Sequence, residues 1–367
     1  MISLSQIYAA LDARFPFNRA ESWDKTGLLV GDKNAQVSRA LVCYEVTPTA
    51  LDLAQQQSCE AVIAYHPLIF RPLEKLDFSD RTAALCARLI RNNQNLICVH
   101  TALDGAAPPS ALGDALARQL GIENAKVHKH SGSQKLSQLV YFVPESHLDA
   151  TREAAWKAGA GQIGLYDEAS FAHTGQGTYR PLPGADPSDG TIGERTDKTE
   201  WRVELLVPSQ LTGAVLNAVK SAHPYEEVAY FLTALDNADS NQKYGPLRLA
   251  KVEGANVQQW IESAKTRLGV PSVRVTIPED ATHFSHVACS PGSGASFISS
   301  LPSGTIFISG DFKHHDALAA QACGVALIDV THAATETTTV ELMANSLEGL
   351  QDLQIVRETP RNPFVFA

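Results

Sequence analysis

No stretch of roughly eighteen consecutive apolar residues occurs in the 367-residue sequence. The opening residues, MISLSQIYAALDARFPF, have no basic segment leading into an apolar one. Neither a membrane span nor a secretory leader is expected, and a cytoplasmic protein is. Cysteine is scarce and scattered: Cys43, Cys59, Cys86, Cys98, Cys289 and Cys323 form no CxxC pair. That argues against a disulfide framework and against a thiolate zinc site. Cys43, Cys98 and Cys289 fall in apolar strand-like runs, where reduced thiols pack as small apolar groups. Positive charge is in deficit, with 30 Lys and Arg against 40 Asp and Glu and a formal net charge of -10. Such a surface repels phosphate backbones, which argues against nucleic acid as a primary partner.

Imidazoles and carboxylates, by contrast, recur where predicted strands end. AVIAYHPLIF carries His66; NLICVHTALD carries His100 and Asp104; TIFISGDFKHHDA carries Asp311, His314 and His315; VALIDVTHAATE carries His332 and Glu336. In each, an apolar β-type run stops and metal-ligating residue types follow at once. The carboxyl edge of an α/β sheet is where ligands bind, so that edge is the expected active site.

The length favours about two to three domains. Residues 1–130 alternate helix and strand: a helix from Ser5 to Arg14, a strand from Ala40 to Glu45, a helix from Pro48 to Ser58, a strand from Ala61 to Ala64, a helix from Thr82 to Asn92 and a strand from Asn95 to Val99. Helices between short β-branched runs predict βαβ units on a largely parallel sheet. The last 120 or so residues repeat the rhythm, with strands near 272–277, 286–290, 305–309 and 325–330. Two polar stretches, KHSGSQKLSQ (128–137) and DNADSNQKYGP (236–246), bracket a segment of different character and are read as boundaries. Within it, strands at 136–143, 169–173, 200–207 and 228–235 and helices at 147–158 and 209–222 give βαββαβ, the ferredoxin-like order. The predicted architecture is a discontinuous α/β core, 1–130 with 244–367, interrupted by a ferredoxin-like domain at 131–243. The Gly-, Pro- and Asp-rich stretch from Gly175 to Lys198 is expected to be a long hairpin loop, mobile or packed against another subunit.

His332 and Glu336, four apart at a strand-to-helix junction, point from one helical face. His100 and Asp104 share the spacing, and His66 is held extended by Pro67. Imidazole with carboxylate suits zinc, iron or manganese. Taken singly, a histidine at a strand end is more often a hydrogen-bonded structural residue; convergence of several at the ends of one sheet favours a metal site. Asp311, His314 and His315 are better suited to orienting ligands or moving protons than to ligation. For His128, His130, His147, His283 and His286 a surface or core role is expected, with His173 and His223 intermediate. His223 lies in AHPYEEVAYF, a dense polar run at a helix-to-strand junction that reads first as packing. CSPGSGASFIS offers a glycine turn before a helix start but lacks a P-loop lysine, so a plain turn is expected.

The runs ESWDKTGLLVGD (21–32), YHPLIF (65–70), HTALDGA (100–106), GSGASFI (292–298), GDFKHHDA (310–317) and IDVTHAATE (328–336) together resemble the Nif-three-like dinuclear-metal family, also known as GTP cyclohydrolase I type 2 homologues. The resemblance implies a two-metal site with His66, His100, Asp104, His332 and Glu336 on the ligand positions, Glu336 bridging, and a toroidal homohexamer with its metals facing an internal cavity. GAGQIGLYD, GQGTYRP and AHPYEEVAY resemble the extra domain of longer bacterial members, related in shape to the PII and CutA proteins. Three departures stand out: Tyr65 where most bacterial relatives have a histidine, Lys25 in place of an asparagine, and Glu45 where an aspartate is usual. A phenol must lose a proton of pKa about 10 to bind well, so the second metal is expected to be weaker. The leading expectation is a divalent-metal-dependent hydrolase binding one or two ions per chain. It would activate water against a nucleotide-like substrate, with His315 moving protons. The alternative is a non-enzymatic metal-binding regulatory or scaffold hexamer whose insert senses a ligand.

Overall fold

The computed structural model of the chain describes residues 1–128, 132–164, 166–280 and 283–365, with side chains at 132–134 and 237–243 left aside. His130 therefore lies outside the described residues. By density of contacts the chain divides into two compact units, Met1–Gly132 with Lys243–Ala367, and Ser133–Gln242. Among the described residues no helix is long and apolar enough to cross a membrane.

The first unit holds two large mixed sheets. One runs Gln354–Arg357, Arg39–Cys43, Ala61–Ala64, Asn95–Cys98, Gly27–Val30, parallel except for the last strand. Its strands read as unbroken apolar runs because both faces are covered. Alternation then sorts the side chains. Ala40, Val42, Ala61 and Ile63 pack with Leu4, Ile7 and Leu11 of helix Leu4–Arg14. Leu41, Cys43, Val62 and Ala64 pack with Ala50, Leu51, Leu85 and Leu89 of helices Pro48–Gln56 and Arg81–Arg91. Each valine, leucine or isoleucine among them, fully buried, contributes about 1.5–3 kcal/mol before the entropy of ordering it is counted, and each alanine less. The helix starts are written in the sequence. Thr47 accepts from Ala50 N at 3.0 Å with Pro48 at the first helical position, and Asp80 accepts from Ala83 N at 2.9 Å.

The other sheet runs Arg274–Thr276, Val325–Asp329, Thr305–Gly310, His286–Ser293, Arg248–Lys251, Lys126–Val127. Only its centre is parallel: Thr305–Gly310 lies parallel to both His286–Ser293 and Val325–Asp329, while the flanking pairs are antiparallel. The largely parallel sheet expected for the last third is thus corrected. Strand Arg248–Lys251 brings Arg248, 1% exposed, into a bidentate pair with Asp114 of helix Leu112–Leu120 at 2.6 and 2.8 Å.

The unit 133–242 has the element order strand, helix, strand, strand, helix, strand, with spatial strand order Tyr230–Tyr244, Gly132–Val143, Thr196–Pro208, Phe171–Tyr179. Leu139, Tyr141 and Val143 alternate inward with Val203, Leu205 and Val207 against Ala155, Val215 and Val219 of the two helices. The even-numbered neighbours Gln138, Arg202 and Glu204 hydrogen-bond together on the other face. One expectation is corrected here. Gly175–Tyr179 and Thr196–Lys198 are strand, paired Thr196 to Tyr179 and Lys198 to Gly177, so the connecting loop shrinks to 180–195. Residues 236–244 continue strand Tyr230–Tyr244, and the division between the two units falls among them, between Gln242 and Lys243. In both places the ladder is made by main-chain groups, and polar side chains on it leave no apolar alternation to read.

Candidate metal centre

Two pairs of adjacent parallel strands, one from each large sheet, end at the same place. His66 and His100 follow Ala61–Ala64 and Asn95–Cys98; Asp311 and His332 follow Thr305–Gly310 and Val325–Asp329. The ladder continues past the strands, with His66 N donating to Tyr44 O at 3.1 Å and His100 N to Tyr65 O at 2.9 Å, so both imidazoles are held by backbone. His100, Asp311 and Thr331 have φ of 36°, 60° and 75°, a region costly for residues with a Cβ and for a β-branched threonine above all. The neighbours impose it: Asp329 accepts from Thr331 N at 3.1 Å and from Phe312 N at 3.3 Å, and also pairs with Arg274.

Glu336 is the hub. It is 3% exposed; its Oε2 lies 3.2 Å from His332 Nε2 and 3.7 Å from His66 Nε2. The donor atoms of His66, His332 and Glu336 all fall within 4.8 Å of one another. Tyr44 donates to Oε2 at 2.6 Å and Tyr65 to Oε1 at 3.2 Å. The helix carrying these residues is shorter than expected. Only His332–Thr335 is helical, Glu336 leaves it at φ -119°, and a second helix begins at Thr339. His66 and His100 stand with ring centres 5.2 Å apart, and His66 and His332 at 5.6 Å. The Oδ1 of Asp104 is enclosed and has no hydrogen-bond partner, and neither has His66 Nδ1, which lies a poorly aligned 3.4 Å from Glu45.

Carboxylates fix the other imidazoles from behind. Asp24 lies 2.7 Å from His100 Nδ1 and Asp311 lies 2.7 Å from His332 Nδ1. In each the orienting contact is made at Nδ1, which leaves Nε2 as the nitrogen that a metal would take; in His332 that nitrogen faces Glu336. Asp24 is itself held by Thr101 N at 3.1 Å, Thr101 Oγ1 at 2.5 Å and Lys25 N at 2.7 Å.

The electrostatics are those of a site shaped for a cation. Burial pushes Asp104 up to about 7, with the Glu336 charge adding to it. Burial would lower His332, but its bond to Glu336 and the charges of Glu336 and Asp311 outweigh that and raise it to about 9. Glu336 is strongly desolvated, yet His332, His66 and Tyr44 hold it below the usual carboxylate range. Burial, then Glu336, drives Tyr65 well above a normal phenol. Glycine makes the space: a Cβ at Gly292, where φ is +62°, would stand 2.8 Å from Glu336 Oε1, and one at Gly310 would stand 2.5 Å from His332 N. The residues present fit a divalent ion on chemical grounds. Nitrogen and carboxylate donors converge, one buried carboxylate oxygen is orphaned, and no lysine or arginine pairs with Glu336 among the described residues.

His314 and His315 open helix His314–Ala322, exposed, with rings 5.3 Å apart; among the described residues neither is hydrogen-bonded to the cluster. Several other histidines have ordinary partners: His128 with Ser300 O, His147 with Ser146 and His286 with Ser285. His173 is exposed on its strand, its ring 5.9 Å from that of Phe171. The Gly292 turn leads into a short 3-10 helix, Ala295–Ser300. Five of the six cysteines are buried and all six are free. Sequence reasoning missed Asp24 and Tyr44 as individual residues. Asp24 sits within the ESWDK run, the signal that could have singled it out, while Tyr44 has only its place at a strand end.

Two mixed sheets joined at their strand ends by histidines and carboxylates define a mixed α/β protein with a possible metal site. The chain matches the Duf34/NIF3 (NGG1p interacting factor 3) family over residues 2–363, and it belongs to that family. The GTP cyclohydrolase 1 type 2 homolog of Mycobacterium tuberculosis is 31% identical over 341 residues, 91% of this chain and 88% of that protein. The protein of the same name from Staphylococcus epidermidis is 29% identical over 333 residues, 90% and 89% of the two chains. A Bacillus cereus protein related to NIF3 has a similar structure, with TM-score 0.83 and 28% identity over 100% of this chain and 99% of that one.

Proposed function

We propose that this protein is a divalent-metal-dependent hydrolase acting on a nucleotide-like substrate. The observation that carries the reading is the enclosed Glu336 carboxylate, approached by two imidazole Nε2 atoms and two phenols. His66, His100, Asp104, His332 and Glu336 would hold one or two ions; zinc, iron and manganese all suit the donor set. A divalent ion there supplies Lewis acidity and a water acidified toward neutral pH.

The chain's own groups do the rest. Asp24 and Asp311 fix the tautomers of His100 and His332, and Tyr44 and Tyr65 hold both oxygens of Glu336. Trp23 and Phe70, 52% and 48% exposed, meet edge to face at 6.0 Å, and Trp23 lies 6.1 Å from the His100 ring. That pair gives a planar base a surface to stack on at the mouth of the site. The name carried by the relatives, GTP cyclohydrolase 1 type 2 homolog, points to the same substrate class. For His315 the proposed role is proton transfer, and His315→Ala should lower turnover with metal content unchanged. Assembly as a homohexamer is part of the proposal, with exposed Leu76 and Phe78 as surface that another copy would cover.

The test is Glu336→Gln, followed by elemental analysis, turnover of nucleotides and phosphoesters, and light scattering. A hydrolase loses metal and turnover but stays assembled. A metal-held, non-enzymatic scaffold loses its oligomeric state, and a fully active, assembled variant overturns both readings.

A further inference from the structure

His223 of the AHPYEE run is a structural pin. Its Nε2 lies 2.8 Å from the Phe142 carbonyl and its Nδ1 accepts from Tyr225 N at 3.1 Å, so both nitrogens are used and the ring is neutral. Burial lowers its pKa in keeping with that. What it pins is the turn bearing Tyr225, whose ring lies edge-on to the imidazole at 4.8 Å.

Opposite this turn, the loop after Tyr179 folds back on itself. Tyr179 Oη donates to Asp189 O at 2.8 Å, Lys198 pairs with Asp189 at 2.5 Å, and Asp186 N donates to Glu226 at 3.0 Å. Between loop and turn lies a cavity of about 400 Å³, within the range of small-molecule sites. Its apolar wall includes Phe142, Pro181, Pro187 and Ala229.

Two polar groups lining it face each other. The Tyr225 hydroxyl is buried beside the Glu200 carboxylate, and Glu200 enters no ion pair among the described residues. Space for that carboxylate comes from the next strand, where a Cβ at Gly177 would stand 2.5 Å from Glu200 Oε2. The lining has Asp189, Glu200, Glu226 and Glu227 against Arg180, with Lys198 paired to Asp189 and its Nζ 5.8 Å from the centre of the Tyr225 ring, so the balance stays negative. An anion would meet net repulsion there and a cation net attraction.

We infer that this cleft binds a small organic cation: a primary ammonium on an apolar or aromatic body, with the ammonium at Glu200 and Tyr225 and the body against Phe142, Pro181 and Pro187. The inference is independent of the metal centre and of any catalytic role for it.

The experiment is calorimetric titration of the full-length protein with phenethylammonium, and with phenethyl alcohol, phenylacetate and inorganic phosphate as comparators. One ammonium per chain is expected, with neither the alcohol nor the anions competing. Glu200→Gln should weaken binding by about tenfold or more, through loss of the charge-assisted bond, and Tyr225→Phe by about threefold. Circular dichroism and metal content should be unchanged in both variants. Absence of ammonium binding to the unaltered protein, equal binding of the alcohol, preference for either anion, or indifference to Glu200→Gln would each overturn the inference.

Discussion

The hydroxyl of Tyr44 donates a 2.6 Å hydrogen bond to Oε2 of Glu336, joining residues 292 positions apart. Tyr65, stacked on Tyr44 at 5.9 Å, serves the other oxygen. Burial, then the Glu336 charge, raises the pKa of both phenols, so they stay protonated and act as donors to the carboxylate. Tyr65 is therefore a poor ligand where an imidazole would be a good one.

Tyr65→His should raise metal content, by up to about one ion per chain, because a neutral imidazole offers a lone pair without first losing a proton. Elemental mass spectrometry on protein reconstituted with zinc or manganese checks it. Unchanged stoichiometry would count against the phenol as a limit on metal uptake.

Asp104→Asn should separate metal binding from stability. The folded pKa of Asp104 is raised to about 7 from the ordinary 3.8. Its contribution is therefore fully present below the unfolded pKa and is lost as pH rises through about 7. In chelator at pH 8 the variant should be more stable than the parent, by on the order of 2 kcal/mol. The difference should shrink toward pH 4, and metal uptake should fall throughout. Urea unfolding at the two pH values reads this directly.

Asp24→Asn and Asp311→Asn should each weaken metal affinity by roughly 10- to 100-fold, since each replaces the charged acceptor behind a ligand-position imidazole with a neutral amide. Only Asp24→Asn should also lower stability, because the Asp24 side chain is 0% exposed and also accepts from Thr101 N and Oγ1 and from Lys25 N. Competitive metal titration paired with thermal unfolding distinguishes the two. Affinities equal to the parent's would show that these carboxylates do not position the ligands.

Away from the site, Glu60 should set part of the acid limit of the fold. Desolvation opposes its charge, but bonds from Arg39 N at 2.9 Å, Ser38 Oγ at 2.8 Å and Ser38 N at 3.1 Å outweigh it and hold the carboxyl below its usual range. A depressed folded pKa contributes stability above the unfolded value of about 4.5, lost as pH falls through the lower folded one. Glu60→Gln should lower stability at pH 7 and flatten its fall below about pH 4.5. A parallel decline in both proteins during acid titration would exclude the effect.

Much of this was readable where pattern and burial coincide. Runs such as AVIA and VALID are fully buried strands, and the imidazoles and carboxylates that follow them come out at strand ends because the chain must leave the sheet there. His66, His332 and Glu336 meet for that reason. Asp24 was not legible, because its partner His100 is 76 residues away and no local spacing links them. Strands Phe171–Tyr179 and Thr196–Pro208 were legible only in part, since pairing there runs through backbone beneath glycine, threonine and charged side chains. The break in helix at Glu336 had no sequence signal either; it follows from the hold of four neighbours on one carboxylate.

Strand Lys126–Val127 lies against Arg248–Lys251, and His128 N donates to Leu247 O at 3.2 Å. Topologically these two strands are a hairpin whose turn has been swollen to more than a hundred residues. A hairpin tolerates a change of turn better than a change of strand, because its register is held by the ladder. Excision of residues 133–242 and closure with a short glycine turn would thus alter one loop of the first unit and leave every strand end that supplies His66, His100, His332 and Glu336 where it stands.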